Sequence, residues 1–101
     1  MLKANLSTFK WQSRESEVDD LLAAGQSTSA KFAAMEWIAQ QPRRPETHWA
    51  LAKAHYQLGE LAAAKEVLRG LLQVAPDERY RVDDWLSHVE DEFRDNRPKL
   101  A

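Results

Sequence analysis

Polar and apolar positions in this chain keep returning to the helical period. Val82, Trp85, Leu86, Val89 and Phe93 recur at three- and four-residue intervals, a spacing that gathers side chains on one face of an α-helix. Asp84, His88, Asp91 and Glu92 fall on the opposite face. Upstream, apolar alanine-rich stretches meet at glycines, in "LLAAGQSTSAKFAAM" (21–35) and again in "YQLGELAAAKEVL" (56–68). The pattern predicts five helices, over 14–24, 27–41, 45–58, 61–75 and 78–94. Residues 1–12 read as an extended or frayed lead-in, and the patternless "DNRPKLA" (95–101) reads as a loose tail. Pro45 followed by Glu46 makes a good helix start, with proline in the first turn and an acid near the positive end of the dipole. Asp77 is placed to cap the fifth helix in the same way.

The two glycine junctions belong to a repeat. Sliding the sequence by 34 residues puts Gly25 on Gly59, Ala30 on Ala64, Lys31 on Lys65 and Pro42 on Pro76, while Trp37 falls on Leu71 and Ile38 on Leu72. Each element has a physical reason. A helix that ends in a left-handed residue wants glycine there, because a Cβ would clash. A small residue five positions later lets two helix backbones come close. The proline ends the second helix and helps to start the next element. The unit is a helix, a tight turn and a second helix packed antiparallel to the first.

The stretch "PETHWALAKAHYQLGELAAAKEVLRGLLQVAPDE" (45–78) resembles one complete tetratricopeptide repeat. Leu51 and Ala52 stand at that family's large–small pair, and Tyr56 lies beside its usual aromatic position. Gly59, Ala64, Leu68 and Pro76 match the turn glycine, the close-packing alanine, the apolar residue of the second helix and the closing proline. His48 and His55 occupy places where an aromatic is commoner, and Leu71 replaces a usually small residue. Residues 11–44 resemble a degenerate copy with Trp37 at the same small position, and 79–94 look like the helix that caps such an array. The resemblance implies an all-α, antiparallel α-solenoid of about two repeats and a cap, in one helical domain over 13–94. It also implies a non-catalytic interaction module that binds a partner segment in a concave groove lined by the first helix of each repeat. On that face the central copy would present Glu46, Trp49, Ala50, Lys53, Tyr56 and Gln57. The flanking helices would add Glu15, Asp19 and Leu22 on one side and Asp83, Ser87 and Glu90 on the other.

Composition narrows the partner. With 44% hydrophobic and 30% charged residues, 101 positions hold one ordered, soluble domain. A net charge of -2 argues against nucleic acid as the main partner. No segment approaches the ~20 apolar residues of a membrane helix, and "MLKANLSTFKWQS" lacks the apolar run of a signal peptide. The absence of cysteine removes disulfides and thiolate chemistry, and fits a reducing, cytoplasmic setting or a soluble part of a larger protein. Alanine-rich helices with arginine preferred to lysine fit a bacterial source.

Trp49 and Tyr56 lie seven residues apart, two helical turns on one side, so both rings can anchor a ligand; the alternative is that they pack between neighbouring helices. Glu15, Asp19 and Asp83 around Lys53 would repel an acidic or carboxylate-terminated tail, which favours a basic or apolar segment. The acids read equally well as a solvated face. His48 and His55 fall on the side that packs against the second helix, with no third ligand at hand for zinc. Adjacent carboxylates such as Asp19/Asp20, Asp83/Asp84 and Glu90/Asp91 point about 100° apart on a helix and do not form an acid–base pair. "PRRP" (42–45) is a short basic loop between the repeats. No cofactor, metal or catalytic residue is expected. The rival reading is a self-assembling homo-oligomer, favoured if Trp11 or Trp37 lies on the surface.

Overall fold

The computed structural model describes residues 15–96, with side chains through residue 91. Five helices follow one another: α1 over 15–23, α2 over Ser27–Gln40, α3 over Pro45–Gln57, α4 over Leu61–Val74 and α5 over Arg79–Asn96, the last preceded by a 3₁₀ turn at Pro76–Glu78. The fold is all-α among the described residues, and its boundaries lie within two residues of those read from the pattern. The lead-in (1–12) and the last five residues of the tail lie outside the described residues, whereas residues 95 and 96 extend α5.

The 34-residue register is visible in the backbone. Gly25 and Gly59 both take φ of +77°, with no other described residue positive. After α1, Gln26 N–H donates to Leu21 O (2.8 Å) and Gly25 N–H to Leu22 O (3.1 Å). After α3, Glu60 N–H donates to His55 O (2.9 Å) and Gly59 N–H to Tyr56 O (2.9 Å). This paired six-to-one and five-to-two closure satisfies the last carbonyls of each helix and turns the chain back on itself. The second helices end alike too. Gln41 N–H reaches Trp37 O at 2.9 Å and Ala75 N–H reaches Leu71 O at 2.7 Å. Each of those residues precedes a proline that cannot continue the ladder.

Two apolar clusters share α3. Val18, Leu22, Ala30, Ala34, Trp37, Ala50, Leu51 and Ala54 join α1, α2 and α3. Trp49, Ala52, Ala64, Leu68, Leu71, Ala75 and Val82 join α3, α4 and α5, with Trp85 and Leu86 packed against them. Neighbours Leu51 and Ala52 thus face opposite sides, while Val67 touches both clusters. Ala30, Ala52 and Ala64 are fully buried, as close helix approach requires. Trp37 (3% exposed) and Leu71 (0%) are bulky at equivalent positions, so both copies carry the same enlargement of the core. With Trp37 buried, it offers no surface for self-assembly. Trp11 lies outside the described residues.

Two local expectations change. Asp77 does not cap α5, because Pro76 opens a 3₁₀ turn that carries Asp77 and delays the α-helix to Arg79. Pro45 does open α3, and Arg44 at its N-cap donates from Nε to Glu46 Oε2 at 2.8 Å. The stripe of α5 is buried at Val82 and Val89 and half-buried at Trp85 and Leu86, while Asp84, His88 and Asp91 are exposed.

Candidate functional site

The first helices of successive units, α1, α3 and α5, carry the residues expected in the groove. Glu15 and Asp19 on α1, Glu46, Lys53 and Gln57 on α3, and Asp83 and Ser87 on α5 are exposed. In the 34-residue register Glu15, Trp49 and Asp83 share one position, and Asp19, Lys53 and Ser87 another. Lys53 has no ion-pair partner among the described residues, nor do Glu15 and Asp19. Gln57 accepts a hydrogen bond from Ser27 Oγ (2.8 Å), which ties the end of α3 to the start of α2. Asp83 lies 4.0 Å from Arg79 one turn earlier, a contact worth little at the surface.

The aromatic residues are placed differently. Trp49 is only 8% exposed, and its ring meets Trp85 edge to face at 5.9 Å and 86°. Tyr56 meets the same Trp85 at 5.6 Å and 74°. The Arg81 guanidinium sits 5.2 Å from the Trp49 ring centre. Trp49 therefore lies within the α3–α5 seam, where the packing alternative puts it, and Tyr56 is half-buried beside it. The buried Trp49 indole N–H has no acceptor, a cost of about 1–3 kcal/mol that the ring's packing must exceed. Leu22 and Ala50 also belong to the core instead of the groove surface. Glu90 is engaged from the other side by Lys65 Nζ of α4, at 3.0 Å.

Tyr80 is the residue that inspection of the sequence passed over. It is 89% exposed at the start of α5. The repeat register aligns it with Glu46 on the same face, so the 34-residue shift would have singled it out.

Two of the three histidines are tied into the fold, while His88 is exposed on α5. His48 is 8% exposed and donates from Nε2 to Pro42 O at 2.6 Å; its ring lies beside Gly70 of α4. His55 Nδ1 donates to Glu60 Oε1 at 2.7 Å, and Lys31 Nζ lies 3.8 Å from the same oxygen. That hydrogen bond, helped by the Lys31 charge and opposed by desolvation, holds the Glu60 carboxyl below the ordinary glutamate value of 4.5. The cluster links α2 to the α3–α4 turn. No group of three or more His, Cys, Asp or Glu side chains converges among the described residues. In the basic loop Arg44 is committed to Glu46 and Gln41 and lies 5.8 Å from the Trp37 ring centre, while Arg43 is exposed.

Antiparallel helix pairs repeating every 34 residues, each closed by a left-handed glycine, define a helical-repeat protein whose units bury a shared core by stacking. The family model of the tetratricopeptide repeat matches residues 21–81, more than half of the chain, and the chain belongs to that family. Members generally act as protein–protein interaction modules. No curated protein and no solved structure matches the chain. Among the described residues no helix is long and apolar enough to cross a membrane.

Proposed function

We propose that this chain is a non-catalytic interaction module that holds a segment of another protein against the face made by α1, α3 and α5, in a scaffolding or assembly role in the cytoplasm. One observation carries the reading: the first helices of three successive units expose their side chains in the repeat register, with Lys53 between Asp19 and Ser87 in one row and Tyr80 aligned with Glu46 in another. Rigid helices presenting exposed polar groups and a nearly bare tyrosine ring make a surface that loses little entropy on binding. Glu46 and Asp83 are met by Arg44 and Arg79, so the charge left unpaired on the face is that of Glu15, Asp19 and Lys53, net acidic, which favours a basic or apolar segment over an acidic one. With Trp49 inside the seam, Tyr80 and Lys53 replace the Trp49/Tyr56 pair as the anchors to remove.

A pull-down from source-cell lysate with mass spectrometry, run beside Lys53→Glu/Tyr80→Ala, tests this. Both positions are exposed, so the variant should melt like the wild type. A protein retained by the wild type and lost by the folded variant supports the reading. A partner retained equally by both places the binding surface elsewhere.

A further inference from the structure

The second helices of the two repeats occupy equivalent places, yet their outer faces differ. On α4 the exposed positions Ala62, Glu66, Arg69 and Gln73 are small or polar, with Glu66 and Arg69 ion-paired. On α2 the equivalent positions are Thr28, Phe32, Met35 and Ala39, all exposed. Phe32 is 61% exposed and Met35 46%, two of the three large apolar side chains most open to solvent among the described residues. The fold of a repeat does not require this stripe, because the sister helix does without it. Adjacent large apolar side chains left open to solvent on one helix face point to an interaction surface.

The spacing of the stripe specifies its occupant. Thr28, Phe32, Met35 and Ala39 follow steps of four, three and four, the seam of a helix that pairs with another helix. On the opposite side of α2, Ala30 and Trp37 face the core of the repeat. Flanking the seam are Lys31, just before Phe32, and Glu36, just after Met35. In a parallel helix pair, the residue preceding one seam position meets the residue five further along the partner helix. Lys31 of one copy then meets Glu36 of the second, and the symmetry repeats the pair. Glu36 is exposed with no ion-pair partner among the described residues; Lys31 is half-buried, its Nζ 3.8 Å from Glu60 and 5.8 Å from the centre of the Phe32 ring, beside the seam. An antiparallel pair would instead bring each flank against itself, lysine side to lysine side.

We propose that two copies of this chain associate in parallel through the outer face of α2, with Phe32 and Met35 forming the seam and reciprocal Lys31–Glu36 pairs setting the register. The surface faces away from α1 and α3, so the association is independent of the groove reading and leaves that face free. A single short helix pair lies at the small end of specific interfaces, so the association is weak.

Sedimentation equilibrium of the full chain up to about 1 mM gives the first readout, and a monomer–dimer curve is expected. Phe32→Glu/Met35→Arg gives α2 the pair that α4 already carries, and should weaken the dimer at least tenfold with an unchanged melt. Glu36→Lys should weaken it as well, and Lys31→Glu/Glu36→Lys should recover it. Because the chain has no cysteine of its own, orientation can be read by oxidation. Thr28→Cys and Ala39→Cys should each cross-link to themselves, and a mixture should give no 28–39 product. A 28–39 product, or a chain monomeric throughout the range, overturns the proposal. If a monomeric chain loses stability in Phe32→Glu/Met35→Arg, the cover is a segment of the same chain; if it does not, the stripe belongs to a different protein.

Discussion

Replacing Trp85 by alanine tests how the last helix is held. Trp85 is half-buried on α5, and its ring makes the edge contacts to Trp49 at 5.9 Å and Tyr56 at 5.6 Å. Each such pair is worth about 0.5–1.5 kcal/mol beyond area burial. A half-buried indole withdraws on the order of 100 Å² from water, about 2.5 kcal/mol at the usual coefficient. The total, about 3.5–5.5 kcal/mol, overlaps the range for Trp→Ala in cores. Removing the ring also opens the seam over Trp49, on whose ring the Arg81 guanidinium sits. Because α5 is packed from one side only among the described helices, the loss should appear first as unfolding of α5 and then as a lower global midpoint. Urea melts followed by circular dichroism measure it, with Tyr80→Ala as a control expected to change stability by less than about 0.5 kcal/mol. In a double-mutant cycle with Tyr56→Ala, the coupling should be about 1 kcal/mol. A Trp85→Ala cost below about 1 kcal/mol would refute the aromatic seam as the hold on α5.

Other expectations follow from single sites. Gly70→Ala should raise stability by about 0.5–1 kcal/mol, since a glycine inside a helix carries excess entropy; its new Cβ would meet His48 at an ordinary 3.9 Å, so a lower melting temperature would count against the His48 placement. Thr47→Val should cost about 1–2 kcal/mol by chemical denaturation, because the buried hydroxyl donates to the Arg44 carbonyl at 2.7 Å and approaches that of Gln41 at 3.1 Å, holding the loop between repeats. The Glu60 carboxyl titrates below its unfolded value, so its contribution is present above about pH 4.5 and is lost as the pH falls through the lower folded value. Thermal melts of Glu60→Gln between pH 5 and pH 3 should show a shallower fall in midpoint than the wild type, and parallel curves would remove the His55–Glu60–Lys31 link from the account.

Much of the architecture was legible because repeats state each rule twice. Gly25 and Gly59 mark the turns, Ala30 and Ala64 the close approaches, and Pro42 and Pro76 the helix ends, and the helices fall where those residues require. The site was less legible. Trp49 and Tyr56 do lie two turns apart on one side of α3, but whether that side meets solvent depends on what stands opposite. Trp85 stands there, at the register position that Leu51 fills in the central repeat, and its larger ring reaches both. The local spacing of α3 carries no trace of a side chain 36 residues beyond Trp49. The apolar outer face of α2 escaped for a related reason: only the buried set of that helix, Ala30, Ala34 and Trp37, shows that Phe32 and Met35 lie on the other side.

The claim at the centre of the account is that the face of α1, α3 and α5 receives another protein. Photo-cross-linking with benzoylphenylalanine at Lys53, and separately at Glu66 on the outer face of α4, tests it in source-cell extract, since both positions are exposed. The account predicts a discrete cross-linked protein from position 53, competed away by unlabelled wild type, and none from position 66. Equal products from both positions, or a product from 66 alone, would contradict it.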